Sequence, residues 1–241
     1  MSEVDTLTSA ARQDFKEGWG KVLLLLALTA AAILLWDTPI IYPLKLFVVI
    51  LHELSHGLAA IATGGEIVRI EIYSTLGGIC VTRGGIPFVV ASSGYIGSIA
   101  LGGIIFIASQ RATLSKGISV VIASTVGILV LLYIRNLFGI IFSAIFTAGM
   151  FLLAFKVPQQ YRSMTLQLIG TVSCLYALFT IKEDLLTLEH HHSDAQILAG
   201  MTGIPAIVWG VLWAAVSLVV FYLVVRNVYG NRLFKRSTTK R

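Results

Sequence analysis

The stretch Val48-Val49-Ile50-Leu51-His52-Glu53-Leu54-Ser55-His56-Gly57-Leu58-Ala59-Ala60-Ile61-Ala62 sets an H-E-x-x-H string inside an otherwise apolar run. Residues four apart on an α-helix lie one above the other, so His52 and His56 can offer two imidazole nitrogens to one tetrahedral Zn²⁺, with Glu53 beside them. Zinc lowers the pKa of water toward neutrality, and a neighbouring carboxylate then takes the proton. The pattern spells a hydrolytic site with Zn²⁺ as cofactor, His52 and His56 as ligands and Glu53 as the catalytic base.

The same string occurs in soluble helices as nothing more than a polar face. Here Val, Ile, Leu and Ala flank it on every side. An unused His, Glu, His set at membrane depth is costly unless paired or metallated, so the setting favours the metal.

Composition fixes that setting. Hydrophobic residues make up 56% of the chain, charged residues only 12%, and the mean hydropathy is +0.87; a soluble domain carries about 25% charged residues. Charge-free runs at 22–36, 84–110, 117–134, 136–155, 163–181 and 195–225, with the motif segment at 44–62, are mostly long enough for spans of about 20 residues. The expected fold is an all-α polytopic membrane protein of about six to seven transmembrane helices, with a small β-hairpin after the zinc-motif helix. Its organisation reads as a soluble tail over 1–20, one transmembrane domain over 21–226 and a basic tail over 227–241. The first segment lacks the small-residue cleavage pattern of a signal peptide and is expected to stay attached. Cys80 and Cys174 are isolated and read as small packing residues.

Arg226, Arg232, Lys235, Arg236, Lys240 and Arg241 follow the last apolar run, which argues for a cytoplasmic C-terminus. Alternating back from there puts Lys156, Arg162, Arg111 and Lys116 on the same side and the acidic loop 183–194 opposite. The net charge of +6 then reflects orientation together with attraction to anionic lipid. Nucleic acid is not an expected partner, because the basic residues form a juxtamembrane tail without a recognition domain. The expected partners are the lipid bilayer and a membrane protein or peptide substrate, in a bacterial cell membrane or an organelle membrane; no oligomeric state is indicated.

Between the second and third runs the pattern changes. Val68-Arg69-Ile70-Glu71-Ile72 alternates apolar with charged, Gly77-Gly78 offers a turn, and Ile79-Cys80-Val81-Thr82 resumes a strand before Gly84-Gly85. This predicts a β-hairpin over 66–85 at the membrane surface. Beyond a connecting role, it could hold an extended substrate by strand addition, because hydrolysis needs an unwound backbone and a helix hides its amides.

His52-Glu53-Leu54-Ser55-His56 in a transmembrane helix, the hairpin, and then Ala91-Ser92-Ser93-Gly94-Tyr95-Ile96-Gly97-Ser98 in the next span together resemble the site-2 protease family of intramembrane zinc metalloproteases, most closely its compact branch without a PDZ domain. The likeness runs over residues 43–213 and takes in Arg135-Asn136-Leu137-Phe138-Gly139, Ser193-Asp194-Ala195, Thr202-Gly203-Ile204-Pro205 and Trp209. It implies an intramembrane zinc metallopeptidase cutting membrane-embedded or juxtamembrane substrates. The family's third ligand, an Asp in an Asn-Pro…Asp-Gly element, has no counterpart here: no Asp follows Asn136 through Phe155.

A catalytic zinc normally takes three protein ligands, so a downstream group must complete the set. Glu183, Asp184, Glu189 and Asp194 are the available carboxylates, and His190, His191 and His192 the available imidazoles. Asp194 is favoured, because it leads into the last apolar run, with Asp184 as the alternative. For either, a helix cap or an interfacial charge is the plainer role. Three adjacent imidazoles cannot all face one ion on a regular helix, and a solvated loop suits them better.

Asn136 has two readings: an interfacial turn beside a snorkelling Arg135, or a substrate-binding donor to a peptide carbonyl or oxyanion near the zinc. Gly94, Gly97, Ser98, Gly102 and Gly103 would let helices approach closely. A catalytically inactive scaffold or chaperone keeping the same framework is the alternative function, which the missing Asn-Pro…Asp-Gly element keeps open.

Overall fold

The structure, a computed structural model, describes residue 20, residues 22–186 and residues 193–230, with the backbone alone over 179–186. All but one residue of the expected N-terminal tail, residues 231–241 of the basic tail, and Glu189 with His190, His191 and His192 lie outside the described residues. In chain order the elements are α1 (Val22–Leu34), α2 (Tyr42–Ala62), β1 (Glu66–Ile72), β2 (Gly78–Arg83), α3 (Pro87–Ala108), α4 (Ala112–Leu132), α5 (Leu137–Phe155), α6 (Gln159–Leu186), α7 (Asp194–Thr202) and α8 (Ala206–Val225), followed by a π-helical turn at Arg226–Gly230.

Apolar segments take this form because lipid offers no partner for a backbone N–H or C=O, and a helix satisfies both within itself. Among the described residues five helices are long and apolar enough to cross a membrane: α2, α3, α4, α5 and α8 extended to Tyr229. The protein is an all-α polytopic integral membrane protein carrying one two-stranded hairpin. The expected run at 22–36 forms α1, which is shorter than a span, and the run at 163–181 lies within α6. The run at 195–225 is not one helix. Gly203, at φ 74°, ends α7 in the left-handed conformation, and Pro205 then opens α8, so the break is written in those two residues.

Small residues set the helix spacing. A Cβ on Gly102 of α3 would lie 2.7 Å from the Cys174 backbone nitrogen of α6, and one on Gly170 of α6 would lie 2.7 Å from the Gly102 carbonyl oxygen. The two backbones therefore touch, as packing in lipid favours. A Cβ on Gly97 would collide with Ser55, which seats α3 against α2 in the same way.

One end of the bundle is basic. Arg162 is buried and donates to Ser115 Oγ and to the Ala154 and Val157 carbonyls, holding the end of α5 beside the starts of α4 and α6. Lys116 lies over the Phe155 ring at 4.9 Å. Tyr229 packs on Phe106, which brings the end of α8 to the same side.

The hairpin does not project from the end of α2; it folds back along it. At its base Gly84 and Gly85 have φ 72° and 81°, and Gly65 faces them too closely for a side chain. From there Ile67 packs on Gly57, Gly78 on Glu53 and Val49, and the Ser74 carbonyl accepts from the Tyr42 hydroxyl at 2.7 Å. The turn occupies 73–77 with Leu76 at φ 66°, and Gly78 already belongs to β2, so the turn sits earlier than Gly77-Gly78 suggested. Arg69–Glu71 and Glu66–Arg83 pairs line its polar face.

Candidate metal centre

Helix α2 is apolar almost throughout and mostly buried, so its polar residues have few directions available. His52 and His56, one turn apart, stand edge to face with ring centroids 4.7 Å apart. Asp194 enters from α7: its Oδ2 lies 3.0 Å from His52 Nε2 and 3.2 Å from His56 Nε2. Ser193 caps that helix by accepting from the Gln196 amide, which leaves Asp194 to point at the imidazoles instead. All three side chains are largely buried, and one ligand atom from each lies within 4.8 Å of the others.

The donor atoms make this cluster one that could hold a metal ion. His56 Nδ1 is 2.7 Å from the Val90 carbonyl oxygen, an acceptor only, so Nδ1 carries a hydrogen and Nε2 is the ring atom turned toward Asp194. Asp194 Oδ2 is buried with no hydrogen bond of good geometry. Two imidazole nitrogens and a carboxylate oxygen thus converge on one point away from water, close enough together to hold a cation among them. Two imidazole nitrogens and one carboxylate oxygen also match the donor set of a catalytic zinc. The backbone acceptor at Val90 is the outer support such a histidine needs.

Glu53 is buried beside this point, close enough to interact electrostatically with both histidines and with Asp194. The Cys80 backbone amide points at its carboxylate. A Cβ at Gly78 would lie 2.7 Å from Glu53 Cγ and Oε1, so β2 passes the carboxylate at backbone distance. Gly94 of α3 does the same for the ligands: a Cβ there would lie 2.5 Å from His52 Nε2 and 2.6 Å from His56 Nε2. Tyr95 and Tyr176 flank the His52 ring, and Trp213 stacks on Tyr95 at 4.4 Å, closing the far side with aromatic surface. Burial pushes the Cys80 thiol up to about 12, so it serves as neutral filler.

Hydrogen bonding decides which hairpin edge is open. On β1 the Ile70 amide donates to the Tyr133 carbonyl and its carbonyl accepts from the Arg135 amide, and both backbone groups of Ile72 bond the Asn136 side chain. Ile70 pairs with Cys80 and Ile72 with Gly78 in the antiparallel register. These are therefore non-hydrogen-bonded pairs, and the N–H and C=O of Cys80 and Gly78 point away from β1, with the Cys80 amide directed at Glu53. The segment 133–136 closes one edge of the hairpin; the edge facing Glu53 is the other.

Of the residues singled out in the sequence, His52, Glu53, His56 and Asp194 come together. Asp184 lies in the last turns of α6, where only the backbone is described. Asn136 is not at the cluster; its carboxamide is spent on Ile72. Sequence reasoning missed the Val90 carbonyl and the Cys80 amide, which as backbone groups have no side-chain signature. Gly94 and Tyr95 were noted within the Ala91–Ser98 stretch without a role at the cluster, and Tyr176 and Trp213 were given none; aromatic residues with a polar end inside buried helices were the available signal.

A family model described as Peptidase M50B-like matches residues 25–224. No curated protein and no solved structure matches the chain.

Proposed function

The chain belongs to the Peptidase M50B-like family, within the site-2 proteases, and from that premise we propose that it is an intramembrane zinc endopeptidase acting on membrane-embedded or juxtamembrane peptides. His52, His56 and Asp194 would hold the ion. When bound, zinc supplies a positive charge that acidifies water and polarises a peptide carbonyl. Glu53 takes the proton of the attacking water as its oxygen bonds to the carbonyl carbon, and returns it to the nitrogen as the C–N bond breaks. Substrate lies extended along the outer edge of β2, with the Gly78 backbone groups and the Cys80 carbonyl as its ladder partners. Burial among Tyr95, Tyr176 and Trp213 limits water and strengthens each charge interaction.

The observation that carries this reading is the convergence of Asp194 Oδ2 with two imidazole nitrogens next to a buried Glu53. Glu53→Gln keeps the shape and removes the base. Co-expressed with a library of tagged single-span membrane peptides, wild type should release fragments about 10²–10⁴-fold faster than the variant. Zinc content should be equal in the two. Identical fragment patterns from both proteins would overturn the proposal.

A further inference from the structure

Asn136 immediately precedes α5 yet makes no capping bond to it. Asparagine at that position usually accepts from an amide of the first turn. Here Oδ1 accepts from the Ile72 amide at 3.0 Å, and Nδ2 donates to the Ile72 carbonyl at 2.6 Å. One carboxamide thereby makes both bonds that a neighbouring strand would make to Ile72. Gly139, one turn into α5, provides the room: a Cβ there would lie 2.5 Å from Asn136 Oδ1.

The residue so held is the one that matters for the site. Ile72 is the register partner of Gly78, and Gly78 is the glycine against the Glu53 carboxylate. Three contacts in series therefore join Asn136 to Glu53. The neighbouring bonds at Ile70 come from the backbone of Tyr133 and Arg135 and would form with other side chains at those positions; the pair at Ile72 needs a carboxamide. We infer that Asn136 is a positioning residue: it fixes the depth at which the hairpin sits against Glu53, and with it the open β2 edge, without touching substrate. The catalytic consequence rests on the proposed peptidase activity, whereas the clamp itself does not.

The test uses full-length protein in lipid nanodiscs, comparing wild type with Asn136→Ala, Asn136→Asp and Gly139→Ala by residue-resolved hydrogen exchange, zinc content and, where fragments are released, kcat and KM. In Asn136→Ala the Ile72 amide should exchange about tenfold faster, the amount implied by one net hydrogen bond, while the Ile70 amide changes less. Asn136→Asp keeps an acceptor for the Ile72 amide but replaces the Nδ2 donor with an oxygen facing the Ile72 carbonyl, so it should loosen the clamp and speed Ile72 exchange as well. Gly139→Ala, which leaves Asn136 in place but displaces its carboxamide, should reproduce the Asn136→Ala exchange and lower kcat in step with it. Zinc content should stay at the wild-type level in all three. An unchanged Ile72 amide in Asn136→Ala, or wild-type exchange in Gly139→Ala, overturns the clamp. If Asn136→Ala does not fold, the other two variants decide on the same readout. Should wild type release no fragments, the peptidase reading falls and exchange still decides the clamp; should wild type cleave while exchange is unaltered, the clamp alone falls.

Discussion

Helices α2 and α5 are both apolar, yet they use their polar residues in opposite ways. On α2, which is mostly buried, His52, Glu53 and His56 are drawn to one point beside Asp194, where Gly78, Gly94 and the Val90 carbonyl approach them at backbone distance and Tyr95 and Tyr176 flank His52. On α5, which is mostly exposed, Leu137, Ile141, Ile145 and Leu152 face outward, Phe146 stacks on Phe47 of α2, and Asn136 just before its start bonds the hairpin. Hydrophobicity puts both helices in the membrane. What sets α2 apart is that its buried polar groups face one another across one point, whereas the Ser143 and Thr147 hydroxyls of α5 are buried singly, without a hydrogen-bond partner.

That contrast predicts a steep gradient of tolerance. The largest effect is at the imidazoles: His52→Ala or His56→Ala should lower metal content from about one zinc per chain to near zero and abolish fragment release, since a three-ligand site does not survive with two. Metal analysis of purified protein checks it. Next is Gly94→Ala, whose added methyl lies 2.5 Å from His52 Nε2. Zinc affinity should weaken about 10–100-fold, the scale of disturbing a ligand's orientation, as read by competition with a chelator. The smallest is Ile145→Val on the outward face of α5, with 68% of Ile145 exposed. It should change stability by less than about 0.5 kcal/mol and leave zinc untouched. An Ile145 variant as damaging as Gly94→Ala would break the comparison; a harmless Gly94→Ala would remove the site's dependence on close backbone approach.

How much of this was readable in advance follows the same physics. The H-E-x-x-H string was legible because polar side chains in an apolar run demand an explanation, and the hairpin because its alternation differs from a helical period. Asp194 was legible only as one carboxylate among several, since nothing local says that α7 folds back over α2. The apolar run at 195–225 concealed a break, although Gly203 and Pro205 marked it. Asn136 left two readings, an interfacial turn or a donor to substrate, and its residue type alone did not reveal that its carboxamide bonds Ile72. Supports made by backbone atoms, such as the Val90 carbonyl, lie beyond any reading of side chains.

The central claim is that three residues from α2 and α7 hold one ion. Zinc stoichiometry and zinc-edge absorption spectra of wild type, Asp194→Asn and Asp184→Asn test it most directly, because asparagine caps a helix as well as aspartate but is a poor zinc ligand. Wild type should carry about one zinc per chain with two imidazoles and a carboxylate oxygen, Asp184→Asn should match it, and Asp194→Asn should lose the metal. Zinc retained in Asp194→Asn and lost in Asp184→Asn would contradict it.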